Sequence, residues 1–312
     1  MKNVLTGLAI FAASATALAA QPLLTPQALA SISKQDDVRI IDIRPPKAYA
    51  LSHLHGAVNA PYGKWRGPSN NPGELPPLKK LTELVQSLGL TPQTHAVIVS
   101  SGANDTDFGA SARVYWTLKV LGLKNLSILN GGFKSWETAK LPTDKDTPNV
   151  ARSSFEPTID AKYLITRQSV LAQTQDKKAI LVDARPADFF NGETRHVAAK
   201  IPGTLPNAVN LPHATWFKPG TSQVVDADQA KGLAAKYSLA NNTQEIVSFC
   251  NTGHWAATNW FVLSELVGDE DVKLYAGSMV DWTQASDSLP LQNVPGRFKQ
   301  LMIDAKIWFA GL

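Results

Sequence analysis

What most constrains the fold of this chain is that its 312 residues carry one pattern twice. VRIIDIRPPKAY in the first half returns as AILVDARPADFF in the second, so Asp42 and Arg44 answer Asp183 and Arg185. HLHGAVNAP pairs with GTLPNAVNLP, matching Asn59 to Asn210 and Pro61 to Pro212. HAVIVSSG pairs with QEIVSFCN, which sets Ser101 against Cys250. LNGGFKSW pairs with YAGSMVDW, matching Gly131 to Gly277 and Trp136 to Trp282. Four matches in one order, at offsets of 141 to 151 residues, mark a tandem duplication. Two copies are too few for a solenoid.

Each copy alternates short apolar runs with helical segments. RIIDI, VIVSS, AILVDA and IVSFC have the continuous apolar character of strands buried on both faces. ASARVYWTLKVLG and AATNWFVLSELVG read as helices closed by Gly122 and Gly268. Strand–helix alternation predicts an α/β fold, a mostly parallel sheet flanked by helices in each copy. The expected division is a leader at 1–20, a first domain at 21–142, a linker at 143–154, a second domain at 155–290 and a helical tail at 291–312. Lys2, an apolar run from Val4, and Ala17-Leu18-Ala19 before Gln21 form a signal-peptide pattern with cleavage after Ala19 or Ala20. An exported, periplasmic location is therefore expected, with no stable membrane association after cleavage. A net charge of +4 without a Lys/Arg block gives no nucleic-acid footprint.

Export sharpens the meaning of Cys250, the single cysteine. One thiol cannot form an internal disulfide, which leaves a reactive thiol or an inert buried one. It stands at the carboxyl end of a predicted strand, where ligands gather in open α/β sheets. The loop Cys250-Asn251-Thr252-Gly253-His254-Trp255 then leads into a helix. Gly253 permits a positive φ, and successive N–H groups beside a helix start can form an anion nest that favours thiolate. A thiol so placed is expected to be accessible. His254 reads either as a nearby donor or positive charge, or as a loop histidine bonded to backbone. Trp255 reads as packing or as a substrate platform.

In the paired Asp-x-Arg strands, HLHGAVNAP, LNGGFKSW and the six-residue Cys-led loop, the sequence resembles the tandem-domain rhodanese sulfurtransferases from about Thr25 to Leu289. The resemblance implies two rhodanese-like domains, a silent first copy with Ser101 in the nucleophile's place, and a catalytic second copy. It implies that Cys250 takes a sulfane sulfur from thiosulfate, 3-mercaptopyruvate or a persulfide, and passes it to a thiol or cyanide. The nest from Asn251 to Trp255 would hold small sulfur-containing anions. Neither a cofactor nor a metal is implied. The other reading is a non-catalytic sulfur-binding or persulfide-carrier protein.

Some residues depart from that pattern. CNTGHW carries neither the basic residues of thiosulfate-specific loops nor the Gly/Ser-rich composition of mercaptopyruvate-specific ones, so thiosulfate is expected to be a poor donor. The long insert NGETRHVAAKIPGTLPN offers Arg195, His196 and Lys200, which either reach the pocket or form a solvated face. Of these, Arg195 is the candidate substrate ligand. Arg185, repeated as Arg44, is expected to form a structural ion pair. A cysteine phosphatase needs Arg at the sixth residue after the nucleophile, where this chain has Ala256. In the tail, Phe298, Leu301, Met302, Ala305 and Trp308 have helical spacing and are expected to pack on a domain.

Overall fold

The structure is a computed structural model that describes residues 20–240 and 243–310. Apart from Ala20, the expected signal peptide and its cleavage site lie outside the described residues. The duplication appears as two parallel sheets. The first has five strands in the spatial order Leu23–Leu24, Leu126–Leu129, His95–Val99, Val38–Asp42 and Val58–Asn59. The second has four, in the order Val272–Leu274, Ile246–Phe249, Ile180–Asp183 and Val209–Asn210. Every neighbouring pair within these two sheets is parallel, as the strand–helix alternation predicted. Corresponding residues hold the same register. Asp42 lies opposite Asn59 and Val99, and Asp183 lies opposite Asn210 and Phe249.

Both Asp-x-Arg motifs close as buried forks. Arg44 binds Asp42 through Nε and Nη2, and Arg185 binds Asp183 in the same way, at 2.6 Å for Nη2 in each case. Each carboxylate also caps the arginine's own backbone N–H. This pair turns the chain sharply at the carboxyl end of its strand, so the loops that carry chemistry start from a fixed point.

The two halves share one core. The helix Asp105–Val120 packs along Trp255–Phe261, with Phe108 and Tyr115 set edge-on to Phe261 at 5.4 and 5.1 Å between centroids. Tyr115 and Lys119 both bond Glu265 at 2.7 Å across the seam. Aromatic side chains bury about 150–250 Å² each, so this contact resists domain separation. The halves also clasp each other reciprocally. Ser222 donates to Gly102 O at 2.7 Å, and Asn130 pairs with Val224, which lays the second half's 217–225 segment over the first half's loop. In return Arg66 donates to Thr252 O and Gln284 to Asn70 O, so the first half's segment covers the Cys250 loop.

The tail forms the helix Arg297–Ala310, but its apolar spacing does not face a domain. Ile303 is buried and Asp304 binds Arg195 of the body, while Phe298, Leu301, Met302 and Trp308 are exposed. Periodicity finds an apolar stripe; it does not say which side of the helix meets the protein.

Candidate functional site

Cys250 follows the strand Ile246–Phe249 directly, at the carboxyl end of the second sheet. Ser248, one turn of pleat earlier, donates to Ala256 O at 2.9 Å and ties the strand to the helix that closes the loop. Gly253 has φ of 64°, and a Cβ there would stand 2.4 Å from Ala276 O and 2.6 Å from Arg113 Nη1. Only glycine suits that turn. Gly253→Ala is expected to lower stability by about 1–3 kcal/mol and to impair transfer, whereas Gly232→Ala, within the helix Ala227–Lys236, has open space around its Cβ and no positive φ. Thermal melts of the two variants check this; equal, small shifts would show that the loop accommodates a side chain.

Ser278 is a residue that sequence reasoning missed. It holds φ of 55°, the left-handed region that Gly132 occupies with φ of 57° in the first copy. Its Oγ accepts from Cys250 N at 3.0 Å and from Gly253 N at 3.1 Å, and donates to Tyr275 O at 2.8 Å. Backbone strain at a serine is tolerated because the hydroxyl braces both ends of the loop. The available signal was the repeat itself, in which a serine replaces a glycine. The nest is correspondingly smaller than expected, since Gly253 N is taken. The N–H groups of Asn251, Thr252, His254 and Trp255 have no hydrogen-bond partner among the described residues.

Cations reach this loop from outside it. Arg113, on the long helix of the first half, is fully buried, donating to Gly253 O at 3.3 Å and Gly73 O at 2.8 Å. Its Nε has no partner, and no carboxylate pairs with it among the described residues. Burial, reinforced by the like charge of Arg66, lowers Arg113 to about 9, still protonated at neutral pH. Cys250 and Tyr62 are the groups that act in the other direction. Arg66 donates to Thr252 O at 2.8 Å and to the Tyr62 hydroxyl at 3.0 Å. Arg185 turns its remaining Nη1 toward Asn251 Oδ1 at 3.4 Å. The structural ion pair thus also touches the loop.

The remaining expected residues are placed differently. His254 is wedged between the halves, with Nε2 2.9 Å from Thr106 O and Nδ1 2.8 Å from the Tyr62 hydroxyl. A carbonyl can only accept, so Nε2 carries the proton and Nδ1 accepts from Tyr62, which itself accepts from Arg66. Loss of water contact, then the charge of Arg66, hold the ring down at about 3. His254 is neutral at working pH, so of its two readings the loop histidine bonded to backbone is the one the structure shows. Trp255 stacks on His213 at 4.9 Å, meets Phe189 edge-on and donates to Thr106 Oγ1, so its ring is already engaged. Arg195 is not in the loop's surroundings. Its guanidinium is consumed by Asp304 of the tail at 2.8 Å and by the carbonyls of His196, Val197 and Ala199. The long insert folds on itself and spends its arginine internally. Cys250 is 1% exposed, against the expectation of an accessible thiol, because the first half covers the loop.

The loop at Ser101 in the first copy has different surroundings. Ser101 bonds Asp107, whose carboxylate also takes Ala103 N, and Asp105 stands at the start of the same helix. The first loop thus has a carboxylate beside it where guanidinium groups meet the Cys250 loop.

The model of the family described as "Rhodanese-like domain" matches residues 25–139 and 166–285. The chain is 28% identical over 211 residues to the 3-mercaptopyruvate sulfurtransferase of Mus musculus, covering 67% of this chain and 69% of that protein. It is 27% identical over 209 residues to the thiosulfate sulfurtransferase of Gallus gallus, covering 67% and 70%. Among solved structures, SseA from Escherichia coli, described as having the rhodanese fold, superposes with a TM-score of 0.70. That match is 23% identical and covers 82% of this chain and 98% of the other.

Proposed function

We propose, for a chain that belongs to the rhodanese-like domain family through both of its halves, that Cys250 carries sulfane sulfur as a persulfide. The chain is a rhodanese-like sulfurtransferase. The observation that carries the assignment to Cys250 is the convergence of Arg66, Arg113 and Arg185 on the loop of the sole cysteine. Cys250 thiolate attacks the outer sulfur of thiosulfate, the S–S bond breaks, and sulfite leaves with the electron pair. With 3-mercaptopyruvate the C–S bond breaks instead and the pyruvate enolate takes up a proton. An acceptor thiolate or cyanide then attacks the terminal sulfur and releases the Cys250 thiolate. Two half-reactions through a covalent intermediate give ping-pong kinetics. The free N–H groups of the loop and the surrounding guanidinium groups favour the anionic donor and each anionic leaving group.

Intact mass after incubation with thiosulfate or 3-mercaptopyruvate tests this. The chain should gain one sulfur atom and lose it to cyanide with turnover. Loading without turnover would make it a carrier, and loading that persists in Cys250→Ser would refute the assignment. Export to an oxidising compartment is part of the proposal, on the strength of the N-terminal charge, apolar run and Ala-x-Ala order.

The neutral His254 gives a pH prediction. Its proton leaves near 6.5 in the unfolded chain and at about 3 in the fold. The unfolded state therefore binds more protons across that window, so the stability owed to a neutral His254 is full above 6.5 and is lost as pH falls toward 3. His254→Gln is expected to flatten that acid limb in thermal melts. Transfer should show no His254-dependent limb near pH 6.5; a limb removed by His254→Gln would mean that the ring titrates during turnover.

A further inference from the structure

We propose that the helix Arg297–Ala310 is an interfacial anchor that lays its outward face on an anionic lipid surface. At 3.6 residues per turn, Phe298, Leu301, Met302, Ala305, Trp308 and Phe309 fall within about a third of the circumference. Phe298 is 78% exposed, Phe309 68% and Trp308 62%. The opposite side holds the body. Ile303 is buried, Asp304 binds Arg195, and Gln300 donates to Pro295 O. The helix is thus pinned with its apolar stripe outward.

The charges identify the occupant. Arg297 borders the stripe on one side, and Lys299 and Lys306 border it on the other. Asp304, the single acid of the helix, is turned to Arg195 on the protein side. An apolar band with cations along both edges is the pattern of a helix lying in a membrane interface, where lysine and arginine stems rise to the headgroups. The net charge of +4 for the whole chain has the same sign. A second copy fits less well. One helix face about 21 Å long and roughly 10 Å wide falls short of the roughly 800 Å² per partner of a stable protein pair. Pairing two such faces would also bring their basic edges together. No helix among the described residues is long and apolar enough to cross a membrane, so the contact is one of lying on the surface. The proposal departs from the expectation of no stable membrane association after cleavage.

The test is hydroxyl-radical oxidation of Met302 and Trp308 in the full chain, read by peptide mass spectrometry. It is run with vesicles of phosphatidylcholine alone and with phosphatidylglycerol added. Phosphatidylglycerol vesicles should protect both side chains several-fold, and phosphatidylcholine much less. Trp308→Glu combined with Phe309→Glu should weaken vesicle association by at least about tenfold with sulfur transfer and Tm unchanged. Oxidation unaffected by either vesicle, or protected equally by both, overturns the proposal. Protection that rises with protein concentration in the absence of lipid also overturns it, and makes the stripe a seam between protein copies.

Discussion

Cys250→Ser is expected to abolish sulfur transfer, and adding Ser101→Cys to that variant is expected not to restore it. The first half of this result follows from nucleophile chemistry. A hydroxyl is scarcely ionised at neutral pH and has no activating base here, whereas a thiolate is intrinsically strong toward sulfur. The second half follows from what surrounds each loop. Cys250 stands below carbonyls held by Arg66 and Arg113, with Arg185 on Asn251. Ser101 stands against Asp107, with Asp105 two residues closer along the chain. A thiol at 101 would meet negative charge where a thiolate, a sulfur-donor anion and a persulfide all need positive charge. Mass spectrometry of sulfur loading and cyanide turnover of both variants check this. Ser101→Ala in an otherwise native chain should transfer near the native rate. Activity recovered by Ser101→Cys would show that the first loop lost only its sulfur, and that its acidic surroundings do not matter.

The second large effect is expected at Arg113. This guanidinium is fully buried with one nitrogen unpartnered and no carboxylate beside it among the described residues. Such a charge is costly to fold around. It bridges Gly73 O and Gly253 O, and in the proposed function it favours an anion at Cys250. Arg113→Met keeps an unbranched apolar stem and removes the guanidinium, which lies over the Trp116 ring at 4.8 Å. A charged hydrogen bond contributes roughly 1.5–3 kcal/mol, so kcat/KM for thiosulfate or 3-mercaptopyruvate should fall about ten- to a hundredfold. Because a buried charge leaves together with its bonds to Gly73 O and Gly253 O, Tm should change little. Arg113→Lys should recover part of the activity, having the charge but not the reach to both Gly73 and Gly253. A Tm that drops in step with activity would make Arg113 a structural brace between the halves, with no electrostatic part in transfer.

Much of this was legible in the order of residues. The duplication predicted two parallel sheets because identical strand patterns bury identical faces, and the registers of Asp42 and Asp183 agree residue for residue. Cys250 and its glycine could be singled out because a strand end, a turn and a helix start are local features, written in consecutive residues. Arg195 was misplaced because an insert in the same half as Cys250 has no obligation to face it, and a carboxylate in the tail, Asp304, took its guanidinium. The tail was misread for a related reason. Its apolar spacing was correct, but the pinning of Asp304 and Ile303 decided which side met the body.

By itself, then, the sequence determined the two-copy α/β architecture and singled out Cys250 as the candidate nucleophile, because short-range periodicity and a repeat can be read against themselves. Only the tertiary structure decided where the positive charge comes from. Arg66 lies 186 residues from its carbonyl partner at Thr252, and Arg113 lies 140 from Gly253. Nothing in their local sequence distinguishes them from surface arginines. They become part of the site because each half's covering segment crosses to the other half, and because the helix Asp105–Val120 packs along the helix that follows the Cys250 loop. The same crossing takes water from His254 and so decides its charge. Long-range packing sets burial and potential, and those are properties of neighbours in space that a reading along the chain does not contain.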